Sequence, residues 1–111
     1  MSNVFYQHNQ SIPWQKVAPG IQRQLFGHND SIMMAKVKFE KGAVGALHDH
    51  PHVQVSYVES GVFELEIDGT TQQLQAGDGF FVPPGKVHGC KCIEAGILVD
   101  VFNPTRADFL T

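Results

Sequence analysis

The strongest constraint on the fold is a period of two that recurs between turn-forming residues. Over residues 33–40, Met33, Ala35, Val37 and Phe39 alternate with Lys36, Lys38 and Glu40. Over 62–68, Phe63, Leu65 and Ile67 alternate with Glu64 and Glu66. Successive side chains of a strand point to opposite faces, so each run predicts a strand with one buried and one wet face. Asp68-Gly69 carries hairpin chemistry, and Gly, Pro, Asn and Asp punctuate positions 28–31, 60–61, 76–79 and 83–85. Strands are therefore expected at 21–26, 33–40, 53–59, 62–68, 70–74, 80–82, 87–93 and 95–103. Short strands at this spacing make an all-β sandwich or barrel.

With 111 residues the chain holds one core, so residues 1–111 are read as a single domain. Its expected parts are an irregular arm over 1–20, containing Phe5, Trp14 and two prolines, a barrel over about 21–103, and a C-terminal turn over 104–111. Apolar residues at 42 % against 17 % charged favour folding over disorder. A net charge of -3 with no Lys/Arg cluster provides no field for a polyanion, so no nucleic acid partner is expected. Residues 1–10 have neither the charged nor the apolar segment of an export signal, and no run approaches a membrane span. A cytoplasmic protein with no membrane partner is the expectation.

Strand parity also gathers chemistry. His48 and His50 alternate, so on an extended segment they can grip one ion together, with Gln54 on the same face and His88 on a later strand lying across a small barrel. Three imidazoles and one more donor suit a borderline divalent metal such as Ni, Zn, Fe or Mn. A single histidine in a strand more often pairs with a carboxylate; it is the combination that points to metal. His52 has the right parity, but Pro51 disturbs the strand, leaving it open as ligand, neighbour of the ligands or surface residue. Asp49 points to the other face. Cys90 and Cys92 share a face two residues apart, which suits small buried residues rather than a disulfide.

Asp100 stands on a run that is otherwise apolar, and a carboxylate there costs free energy unless it has a partner or a task. A salt bridge with Arg106 and a role in catalysis weigh equally. Over 53–59 both faces carry apolar residues, which predicts a covered outer face and a second subunit as its cover.

Two motifs in these stretches resemble the signatures of the cupin superfamily. The first (Gly, five residues, His-x-His, three residues, an acid, six residues, Gly) falls on Gly42, His48, His50, position 54 and Gly61. The second (Gly, five residues, Pro-x-Gly, two residues, His, three residues, Asn) falls on Gly77, Pro83, Gly85, His88 and position 92. Gln54 replaces the acid and Cys92 the Asn. A neutral amide leaves an ion its full charge, giving a harder Lewis acid that is held less tightly.

Across the whole chain the sequence resembles the small cupins of the KdgF type, pectin-degradation proteins that open the ring of unsaturated uronates. The likeness rests on Trp14, Met33-Met34, the run from Phe39 through Gly45, the histidine motif with Gln54, and an ending that places Asp100, Phe102, Pro104, Arg106, Asp108, Phe109 and Leu110 in order. The resemblance implies a jelly-roll β-barrel, a homodimer, and one divalent ion held by His48, His50, Gln54 and His88. It implies a small-molecule 4,5-unsaturated monouronate from pectin or alginate as substrate and the linear keto-uronate as product. Asp100 would then carry protons, Phe102 pack against the sugar, and Arg106 hold the carboxylate, with Arg23 its competitor for that role. A metal-dependent cupin oxygenase using Fe or Cu, another sugar isomerase, and a non-catalytic sugar-binding cupin are the alternatives.

Overall fold

The computed structural model describes residues 5–111; residues 1–4, which begin both the expected arm and the 1–10 stretch, lie outside the described residues. The strands are β1 (Gln15–Ala18), β2 (Ile21–His28), β3 (Met33–Phe39), β4 (Val44–His48), β5 (Val53–Ile67), β6 (Thr70–Gln75), β7 (Gly79–Val82) and β8 (His88–Asn103). Short 3₁₀ turns occupy Asn9–Ser11 and Ala107–Leu110. No helix among the described residues is long and apolar enough to cross a membrane.

β5 and β8 form an antiparallel spine paired from Val53↔Asn103 to Ile67↔His88. One half of the spine carries β3 beside β8, then β2 and β1, with β7 beside β5. The other half carries β4 beside β8 and β6 beside β5. The two halves fold over each other. Ile21 and Phe39 of the first half meet Phe63, Leu65 and Cys92 of the second around Val58 and Leu98. This is the expected jelly-roll. Phe63 is fully buried and meets Phe39 edge to face at 5.2 Å, an arrangement in which truncation to Ala typically costs about 3–5 kcal/mol.

The spine corrects four expected strands to two. Ser60-Gly61 does not reverse the chain; it lies in a stretch of β5 where the register with β8 slips between Val58 and Phe63. Gly61 has φ +84°, and a Cβ there would lie 2.6 Å from the Glu94 carbonyl oxygen. Opposite it, a Cβ on Gly96 would strike the Ser60 carbonyl. Two backbones cross there with no room for a side chain, so the glycines produce a bulge and a bend rather than a turn.

Other expectations shift by smaller amounts. Within the arm, Gln15–Ala18 is a true edge strand, too short and too closely flanked by Pro13 and Pro19 to display a period. The arm is anchored where Gln24 Nε2 donates to the carbonyls of Asn9 (3.1 Å) and Ile12 (2.9 Å), and where Lys38 Nζ sits 4.3 Å from the Trp14 ring centroid. In β5, Gln54, Ser56 and Val58 point inward, while Val55 and Tyr57 are 52 % and 53 % exposed. Phe81 of β7 is exposed beside Val55. The described residues of the chain do not cover this outer face.

Candidate active site

The histidines converge through strand register. β4 ends at His48 and β8 begins at His88, and the two residues are direct partners in the ladder. His88 thus stands beside His48 on the neighbouring strand, not across the barrel as expected. His50 lies in the connection between β4 and β5, where its carbonyl accepts from Gly85 N at 2.9 Å and so ties that connection to the segment before β8. The ring centroids of His48 and His88 are 4.3 Å apart and those of His50 and His88 4.8 Å. One nitrogen from each of the three lies within 4.8 Å of the others.

Which nitrogen faces the centre follows from the backbone. Nδ1 of His48, His50 and His88 lies 2.9, 3.1 and 2.9 Å from the carbonyls of Ala46, His52 and Lys86 respectively. A carbonyl only accepts, so each Nδ1 carries the proton and each Nε2 is left with a lone pair. Burial lowers the pKa of His50 and His88, favouring this neutral, ligating form.

Gln54 supplies the test for a metal. Its Nε2 donates to Ser56 Oγ (3.0 Å) and Asp100 Oδ1 (3.4 Å), which orients Oε1 toward His50. His50 Nε2 is 3.0 Å from that oxygen. Both residues are buried, at 6 % and 5 % exposure, and in the tautomer that places the His50 proton on Nδ1 the Nε2 lone pair is turned toward Oε1. A cation held by both would satisfy them, so His48, His50, Gln54 and His88 fit a metal ion.

Asp100 lies next to this cluster on β8 and is paired in register with Ser56 on β5. Ser56 Oγ donates to Asp100 Oδ1 at 2.6 Å. Burial pushes the carboxyl up to about 6, against the opposing pull of Ser56, Arg106 and Gln54. The alternative of an Asp100 to Arg106 salt bridge is not realised. Arg106 instead binds Asp108 through Nε to Oδ1 (3.1 Å) and Nη2 to Oδ2 (2.9 Å) and holds that carboxyl below its ordinary value. Phe102 is buried edge-on to His50 at 5.9 Å, with the Arg106 guanidinium carbon 5.2 Å from its centroid. His52 is half-buried beside His50, its Nε2 donating to the Thr105 carbonyl at 3.2 Å, and is not part of the convergent trio.

A cavity of about 220 Å³ joins these groups, reached by His48, Gln54, His88, Asp100, Phe102 and Arg106. Pockets for drug-sized ligands begin at roughly 300 Å³, so this smaller space suits a single sugar ring. Ser56 escaped the sequence reading; the only available signal was its even parity with Gln54 and Val58. Phe109 was seen only as part of the ending, yet its ring meets Phe102 at 5.6 Å and lies between two arginines. Cys92 is buried and donates to the Glu94 carbonyl at 3.1 Å, and burial raises its thiol pKa and, to about 12, that of Cys90, as expected of packing residues.

Comparison with known proteins agrees with this geometry. The family model described as a cupin domain matches residues 35–102. The pectin degradation protein KdgF of Dickeya dadantii (strain 3937) is 41 % identical over 100 residues, covering 88 % of this chain and 91 % of the relative. Among solved structures, an RmlC-like cupin from Shewanella frigidimarina NCIMB 400 superposes with TM-score 0.93 at 43 % identity, covering 95 % of both chains. KdgF from Halomonas sp. superposes with TM-score 0.89 at 40 % identity, covering 92 % of this chain and 94 % of that one.

Proposed function

The chain belongs to the cupin superfamily, on its KdgF branch, and from that premise we propose that it opens the ring of 4,5-unsaturated monouronates to the linear keto-uronate. The observation that carries the reading is Asp100: a buried carboxylate, fixed by Ser56 and Gln54, beside three converging imidazoles in a cavity the size of one sugar.

The reaction is an isomerisation. The anomeric hydroxyl loses its proton, the bond from C1 to the ring oxygen breaks, and C1 becomes a carbonyl. The electron pair leaves with the ring oxygen as an enol at C5, which becomes a ketone when C4 takes a proton. One group suffices for both transfers. Ionised Asp100 accepts the hydroxyl proton and, now protonated, delivers one to C4; a carboxyl near 6 works in both directions close to neutrality. Ser56 holds the accepting oxygen in place. Phe102 forms an apolar wall, and Arg106 sets positive charge at the pocket. His48, His50, Gln54 and His88 would hold a divalent ion such as Ni, Zn, Fe or Mn, which would supply Lewis-acid stabilisation of developing negative charge.

We place the protein in a homodimer, supported by Val55, Tyr57 and Phe81 on the uncovered outer face. The functional test mixes metal-loaded protein with monomers freshly released by a pectate or alginate lyase and an exolytic hydrolase, and follows double-bond absorbance and dissolved oxygen. Accelerated loss of absorbance without oxygen uptake supports ring opening. Decay at the rate of buffer refutes it, and oxygen uptake would indicate a cupin oxygenase instead.

A further inference from the structure

Two guanidiniums face the cavity's aromatic wall, and although the Asp108 charge acts on both, only one of them is hydrogen-bonded to a carboxylate. Arg106 and Arg23 share the Phe109 ring, with guanidinium carbons 4.2 Å and 3.7 Å from its centroid. Asp108 offers both carboxylate oxygens to Arg106, so the fork of that arginine is committed within the protein. Arg23 differs. It rises from β2, between Gln15 of β1 and Val37 of β3, and is half-buried. Its Nε is buried without a hydrogen-bond partner among the described residues. Nε itself is enclosed, but the terminal Nη groups are not, and they too have no hydrogen-bond partner among the described residues, which leaves donors for an acceptor from outside the chain.

The position of Arg23 indicates what that ligand is. It lines the same cavity as His48, Gln54 and Asp100, so a sugar held there lies within one enclosure with the metal-ligand cluster, the proton carrier and an unfilled fork. A planar guanidinium matches a carboxylate through two parallel hydrogen bonds. Building on the ring-opening reading, we propose that Arg23, rather than Arg106, receives the substrate carboxylate and selects uronic acids over neutral sugars. The carboxylate is borne on C5, next to the C4 that must be protonated. Anchoring it therefore sets C4 against Asp100, and Arg23 acts as a specificity and positioning residue while Arg106 balances charge with Asp108.

The test uses the full, metal-loaded chain with Arg23→Gln and Arg23→Lys, each checked for native melting. Steady-state ring opening is measured alongside calorimetric binding of D-galacturonate and of neutral D-galactose. The expected result for Arg23→Gln is a KM raised at least about tenfold together with a lowered kcat, and D-galacturonate binding reduced to that of D-galactose. Arg23→Lys, which keeps charge but not the fork, recovers part of both and also serves if the Gln variant does not fold. A folded Arg23→Gln protein with wild-type KM and D-galacturonate affinity overturns the assignment, as does a wild type that binds the acid no better than the neutral sugar. If the wild type binds D-galacturonate through Arg23 yet opens no ring, the Arg23 assignment stands and the ring-opening reading fails.

Discussion

Removing the Ser56 hydroxyl tests the acid–base assignment with little change in shape. In Ser56→Ala, Asp100 loses an O–H···O bond of 2.6 Å, a length typical of a charge-assisted pair in which the acceptor is ionised. Such bonds are worth roughly 1.5–3 kcal/mol, and each pH unit corresponds to about 1.4 kcal/mol. The carboxyl already stands at about 6 with this bond in place. Without it, the ionised form is disfavoured further, and the value rises by roughly one to two pH units. Because the ionised carboxylate accepts the first proton, activity rises with pH through the value of Asp100. The acid limb of kcat/KM in Ser56→Ala therefore moves to higher pH, activity at pH 6 falls roughly five- to fiftyfold, and the alkaline plateau stays within a few fold. A bound cation displaces both profiles downward together, so the difference between variant and wild type is the readout. Coincident acid limbs would refute the claim that Ser56 tunes Asp100, and a plateau lost at all pH values would show that Ser56 acts by another route.

Asp100→Asn should be inactive yet, in metal-free protein, more stable than wild type at pH 8. The raised value means the native state holds the Asp100 proton more tightly than the unfolded chain, so wild-type stability is lost as pH rises from about 3.8 through about 6. That loss is about 3 kcal/mol and is absent in Asn; urea titrations at pH 8 and pH 4 should show the gap open and then close. His48→Ala, His50→Ala and His88→Ala should each keep the strand-rich circular dichroism spectrum and lose stoichiometric metal, measured by elemental analysis after desalting. Gly61→Ala should destabilise by at least about 2 kcal/mol, since it combines a left-handed backbone with a Cβ pressed on the Glu94 carbonyl; a melting temperature equal to wild type would contradict the crossing of β5 and β8. Light scattering should give twice the chain mass, and Tyr57→Lys should return it to one.

Alternation in the sequence located most strands because each apolar face meets the core on one side only, as Met33, Ala35 and Phe39 do in β3 and Phe63 and Leu65 do in β5. It misread the spine because Gly61 and Gly96 serve a bulge and a close backbone crossing, and the same residue type also makes turns. The residues that could hold a metal were legible from local spacing and from the family motif. Their arrangement was not, since the pairing of His48 with His88 is a register between strands far apart in sequence. Likewise Ser56 is an unremarkable strand residue until β8 brings Asp100 opposite it, and of the two readings weighed for Asp100 the salt bridge with Arg106 gives way because Asp108 claims that arginine.

The central claim is that Asp100 delivers a proton to C4 of a substrate whose ring has opened. The most direct measurement follows a freshly released 4,5-unsaturated uronate by proton NMR in D2O with metal-loaded wild type and with Asp100→Asn. The account predicts rapid loss of the olefinic H4 signal with wild type, one solvent deuteron at C4 in a single configuration, and no acceleration with the variant. Wild-type turnover at the rate of buffer, or deuterium scrambled between the two C4 positions at early times, would contradict it.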